Sequence, residues 1–126
     1  MDILLKACIR LEKKKNGKKV KYRPSITVTT RNPNDFEQLI GEFPTTIHFN
    51  KHNKTWFVKY QSKQTRQIID TYGVLLKDKH AEIALLRRAY LMKDTHRQGS
   101  HVSLEESYEK IFEELKNIKH NKIYEE

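Results

Sequence analysis

A chain of 126 residues, 33% of them charged and 37% hydrophobic, holds one domain with a lean core and leaves no material for a second. Its formal charge of +9, from 25 Lys and Arg against 16 Asp and Glu, favours a polyanionic partner, nucleic acid first and an acidic membrane surface second, because cations that neutralise phosphates release condensed counterions. No apolar run approaches the roughly 20 residues that span a bilayer, charge interrupts "MDILLKACIRLEKKK" too early for a secretory signal, and the lone Cys8 excludes an internal disulfide and a Cys-x-x-Cys zinc pair, so an intracellular, reducing setting is the expectation.

From Ile3 to Leu11 the odd positions Ile3, Leu5, Ala7, Ile9 and Leu11 are apolar, while Lys6, Cys8, Arg10 and Glu12 alternate with them. Period two predicts a strand with one buried face. Asn16-Gly17 predicts a hairpin turn in which both residues take positive φ. The return strand covers Val20 to Thr30, with Val20, Tyr22, Pro24, Ile26 and Val28 inward and Lys21, Arg23, Ser25, Thr27 and Thr29 outward. Pro24 marks an edge position or a bulge there.

"NPNDFEQLIGEF" follows with Asn32 or Asn34 as N-cap and Phe36, Leu39, Ile40 and Phe43 at helical spacing, and Pro44 closes this short helix. "TTIHFNKHNKTWFVKYQ" predicts a second hairpin, with Ile47, Phe49, Trp56, Val58 and Tyr60 inward and His48, Asn50, Thr55, Phe57, Lys59 and Gln61 outward. From Ser62 onward the pattern predicts a helix, a break near Gly73, and a second helix through Met92. Ser103 with Glu106 forms a capping box ahead of a final amphipathic stripe containing Tyr108, Ile111, Phe112, Leu115 and Ile118. The chain thus divides into a module over 1–95, a polar linker over 96–102 and a C-terminal amphipathic helix over 103–120.

Two hairpins, each followed by a helix, predict an α+β fold: a four-stranded antiparallel sheet in ββαββαα order with its helices on one face. The other face is then free. It would carry Lys6, Arg10, Lys21, Arg23, Ser25, Thr27, Thr29, His48, Asn50, Thr55, Phe57, Lys59 and Gln61, with Arg31 at the exit of the second strand. These donors and donor-acceptors suit base edges and phosphates, as in a β-ribbon entering a major groove. Lys13, Lys14, Lys15, Lys18 and Lys19 crowd the first hairpin tip, where they would grip flanking phosphates, although tip lysines also solubilise and protect edges. The His48/His52 and His96/His101 pairs lack the further ligands of a zinc site and are expected to be surface or phosphate-facing. Phe57 is the one aromatic on this face, able to touch a thymine methyl, whereas Trp56, Phe49 and Tyr60 are expected in the core.

The order of elements, with "RPSITVTTRN", "WFVKYQSKQTRQIID" and "LLKDKHAEIALL", resembles one half-module of a LAGLIDADG homing endonuclease over roughly residues 2 to 92. The most specific stretch is Leu76 to Leu86. The resemblance implies DNA binding by the sheet. It also implies a helix ending in an acid that binds a divalent metal and forms the subunit interface, and that helix is not found here. Asp2 falls near the position of the final acid, and Lys77 resembles the lysine beside the metal centre. The expectation is therefore no catalytic residue and no metal ligand beyond the weak candidates Asp2 and Lys77, and no cofactor unless Mg²⁺ serves catalysis. The function so implied is sequence-preferring binding of double-stranded DNA without cutting, as a regulator or accessory factor. The alternatives are an active or split Mg²⁺-dependent endonuclease and an RNA-binding splicing maturase, and a homodimer or a partner half-module belongs to the same implication.

Overall fold

The computed structural model describes residues 2–95 and 104–124. The strands are β1 (Ala7–Asn16), β2 (Lys19–Thr30), β3 (His48–Asn50) and β4 (Thr55–Gln61); the helices are α1 (Glu37–Glu42), α2 (Lys63–Tyr72), α3 (His80–Thr95) and α4 (Leu104–Tyr124). The strands form one antiparallel sheet in the order β1-β2-β4-β3. The predicted linker with His96 and His101, and the capping residue Ser103, lie outside the described residues.

Directly opposite residues share a face of an antiparallel sheet, so the register sorts the side chains. Ala7, Val28 and Val58 form one inner row and Ile9, Ile26 and Tyr60 the next, all buried. Every helix contributes to the same core: Leu39 from α1, Ile68 and Ile69 from α2, Ile83 and Leu86 from α3, and Ile111 and Leu115 from α4. Helices therefore cover one face only. Tyr60 reaches through this core to donate to the Phe43 carbonyl at 2.7 Å, and its desolvation pushes the phenol pKa up to about 12.

Several local readings change. Residues Asp2–Lys6 form a 3-10 turn instead of the start of the strand. Ile3 and Leu4 are consecutive and both buried, which a strand with one covered face cannot arrange, and β2 ends at Thr30, leaving Ile3 no ladder partner. The tip of the first hairpin is also shifted by one residue. Asn16 is the last member of β1 and pairs with Lys19, so the loop is Gly17-Lys18, and only its first residue takes positive φ, Gly17 at 65°. Phe49, expected in the core, is 47% exposed because β3 is three residues long and forms the edge of the sheet; its ring leans on Trp56 at 4.7 Å.

The helix boundaries follow ordinary chemistry. Asn32 Oδ1 accepts the Asn34 N–H at 3.1 Å and Pro33 opens the first turn, a 3-10 segment that runs into α1. The break after α2 falls at Gly73, which is buried against α3; a Cβ there would stand 3.1 Å from Arg87 Nη2. α4 packs across β1, β2 and α3, where Tyr22, Tyr108 and Phe112 form a tilted aromatic cluster with ring centroids 5.9 and 6.1 Å apart.

Candidate nucleic-acid interface

The face that carries no helix is a ladder of polar rows. Starting from the β3 side, Thr29, Phe57 and His48 stand side by side, then Cys8, Thr27 and Lys59, then Arg10, Ser25 and Gln61, then Glu12 and Arg23, and finally Lys14 and Lys21 near the turn. Asn50 and Thr55 close the opposite end. The face is graded from aromatic and neutral to cationic. At the neutral end the His48 ring stacks on Phe57 at 5.2 Å, which leaves Phe57 half-buried and His48 exposed. Arg31 stands exposed just past β2.

In the middle of the ladder a carboxylate organises the cations. Lys59 Nζ donates to Glu12 at 2.9 Å, Gln61 Nε2 donates to its other oxygen at 3.3 Å, and Arg23 donates to Gln61 Oε1 at 3.4 Å. Partial burial by itself would raise the Glu12 pKa, but the hydrogen bonds from Lys59 and Gln61 and the charge of Lys59 outweigh it and hold the carboxyl below its usual range. The nearby Ser25 hydroxyl, which meets no acceptor at full hydrogen-bond geometry, adds to the same effect. Arg10 Nε lies 3.3 Å from Cys8 Sγ. Long side chains tied to one another in this way present a pre-ordered surface, so less rotamer entropy is lost when a partner arrives.

The structure moves several expected contacts elsewhere. Lys13 lies on the helix side of the sheet, paired with Tyr22, and its ammonium binds Glu109 of α4 at 2.9 Å beneath the rings of Tyr22 and Phe112. Tyr22 also donates to Glu109. Lys15 faces the same way, opposite Val20, though it is exposed. Lys6 belongs to the 3-10 turn and has left the strand ladder. Ser25 is on the polar face but only 1% exposed, screened by the longer side chains around it, and so is unavailable for base reading. Lys19 pairs through its backbone with Asn16, while its side chain lies outside the described residues. Lys18 occupies the turn and is exposed.

Glu12 and Cys8 share the face, as the alternation with Lys6 and Arg10 implies, and the second hairpin places Lys51, His52 and Lys54 in an exposed turn beside Asn50, whose Oδ1 accepts the His52 N–H at 3.0 Å. The run "NKHNK" was the available signal.

Asp2 is exposed and borders a cavity of about 370 Å³ with Ile3, Lys6, Asp35 and Gln38. Of its two carboxylates, Asp35 already accepts from Thr30 Oγ1 at 2.7 Å, and Lys6 brings an opposing positive charge. Among the described residues no group of three or more His, Cys, Asp or Glu side chains could hold a metal. Lys77 is exposed on a short 3-10 turn of the helical layer between α2 and α3.

No protein-family model matches the sequence, and no curated protein matches it significantly. Solved structures do. The LAGLIDADG homing endonuclease I-GzeII, crystallised in complex with its DNA target, superposes with a TM-score of 0.63 at 19% identity, covering 85% of this chain and 38% of its own. The homing endonuclease I-TnaI gives 0.60 at 14% identity, covering 86% and 92%. The archaeal intron-encoded homing endonuclease I-Vdi141I, complexed with DNA, gives 0.57 at 9% identity, covering 91% of each chain. At such identities the likeness is one of fold: the four-stranded antiparallel sheet with its helices is the LAGLIDADG homing endonuclease fold, and this chain spans well under two thirds of I-GzeII.

Proposed function

We propose that this chain binds double-stranded DNA on the open face of its sheet, with sequence preference, and acts by occupancy without cutting. The observation that carries this reading is the ladder of polar rows opposite the core, graded from the His48–Phe57 stack to Lys14 and Lys21. Arg23 and Gln61 are the base-reading candidates, Thr27, Thr29, Asn50 and Thr55 the adaptable ones, and Arg10, Lys14, Lys18, Lys21 and Arg31 the phosphate contacts. Two of the structures that share the fold were crystallised with DNA, which supports the partner. The engagement of Asp35 by Thr30 and the positive charge of Lys6 beside Asp2 support a non-catalytic role, as a regulator or accessory factor. The fold also occurs as part of a longer chain, which supports pairing with a second copy or a partner half-module on the DNA.

Selection of bound duplexes from a random pool, with and without Mg²⁺, tests the reading. Arg23→Ala relaxes preference at one base pair by about 1 to 3 kcal/mol if it reads a guanine, whereas Lys14→Ala and Lys21→Ala each flatten the salt dependence by about one ion. Lys13→Ala leaves that slope unchanged. Specific cleavage that requires Mg²⁺ would favour the endonuclease, and tighter binding of structured RNA than of duplex DNA would favour the maturase.

A further inference from the structure

β4 ends at Gln61, opposite Ser25, while β2 continues toward the turn through Pro24, Tyr22 and Val20. The Pro24 carbonyl accepts the Ser62 N–H at 3.0 Å, so the backbone of Pro24 is aimed to the β4 side. Polar groups alternate in direction along an antiparallel strand. The N–H and C=O of Tyr22 and Val20 therefore point the same way as Pro24, past the end of β4, and among the described residues they meet no backbone partner there. This edge opens into a cavity of about 660 Å³ whose far wall includes Ala89, Tyr90 and Tyr108. Lys21, Arg23, Lys63, Arg66 and Lys93 border it, against Asp94 as its one carboxylate among the described residues, which Arg66 already engages at two points, 3.2 and 2.6 Å.

We propose that this edge accepts an added strand: an extended acidic segment of another protein pairs its backbone with Tyr22 and Val20 in continuation of β4. Unpaired edge groups recruit strands readily. The edge offers donors and acceptors together, which a polypeptide satisfies and a phosphate chain does not, since the carbonyls repel it. Alternation along the incoming strand sets its composition. Residues turned to the open face meet Lys21 and Arg23 and are acidic; residues turned inward meet Tyr22, Tyr90 and Tyr108 and are apolar. Lys21 and Arg23 also belong to the face proposed for DNA, so the segment competes with DNA; that consequence rests on the functional reading above, and the strand pairing does not.

A fluorescein-labelled peptide of alternating Glu and Val, titrated into the full chain by anisotropy with amide exchange followed by NMR, tests this. The expected result is slowed exchange at Val20 and Tyr22, with binding weakened at least about tenfold when the peptide is N-methylated along its pairing edge, and similarly in Lys63→Glu. Equal binding of the N-methylated peptide reduces the effect to charge attraction and overturns the proposal. No binding overturns it too, as does finding the two amides already protected in a free chain that self-associates. Displacement of bound duplex is scored separately: peptide binding with amide protection that leaves DNA in place retains the added strand and counts against the DNA-face reading.

Discussion

Among the described residues Glu12 is the acid in the middle of a face built mainly from cations, amides and hydroxyls, with Cys8 and the His48–Phe57 pair beside them, and it holds Lys59 at 2.9 Å. Replacing it by Gln removes a repulsive charge and frees a cation, so Glu12→Gln binds DNA more tightly, by a few fold, and with a salt slope steeper by about one. Fluorescence titration across a salt series reads both. The same change alters stability with a defined sign. Because the folded-state pKa lies below the ordinary value of 4.5, the stabilisation is present above that value and is lost as pH falls through the lower folded one. The wild-type advantage in urea midpoint therefore narrows in acid and vanishes against Glu12→Gln, and an advantage that grows as pH falls contradicts the network. Residue-level parity was legible in the sequence: the alternation that marked Arg10 as outward marks Cys8, Glu12 and Lys14 outward too, and carries Lys13 and Lys15 to the other side. What could not be read was that α4 would bring Glu109 up to Lys13, because that contact joins segments far apart in the chain.

At the scale of elements, α4 braces the first hairpin. Ile111 is wholly buried, Leu115 nearly so, and Lys13 and Tyr22 reach Glu109 from the sheet. Ile111→Ala creates a cavity in the core shared by every helix, and its cost is about 2 to 5 kcal/mol in a single cooperative urea transition. Two separate transitions, with the second unchanged from wild type, would instead make α4 an independent attachment. Hairpins, helix order and the Gly73 break were visible because each is written locally, in period two, in helical spacing, or in a residue that permits a bend. The 3-10 turn at Asp2–Lys6 and the exposure of Phe49 were not. Both depend on where a partner strand stops: β2 at Thr30 for the first, and the three-residue β3 for the second.

For the whole molecule the deciding quantity is length against charge. β2 has 12 residues, about 40 Å at ordinary strand rise, a little more than one turn of B-DNA at roughly 34–36 Å. Under the proposed function one module would read about one turn, with the cationic tip of the first hairpin at one end and the Lys51–Lys54 turn at the other. The chain carries its own reporter of this geometry: its only cysteine, Cys8, lies on the open face between Arg10 and Thr27, partly exposed. The measurement is the alkylation rate of Cys8 with and without duplex DNA, at concentrations where anisotropy shows the complex is formed. DNA seated on the sheet slows alkylation at least about tenfold, and salt restores the free rate as the complex dissociates. An unchanged rate in a saturated complex, or no complex at any salt concentration, contradicts the assignment of this face to DNA.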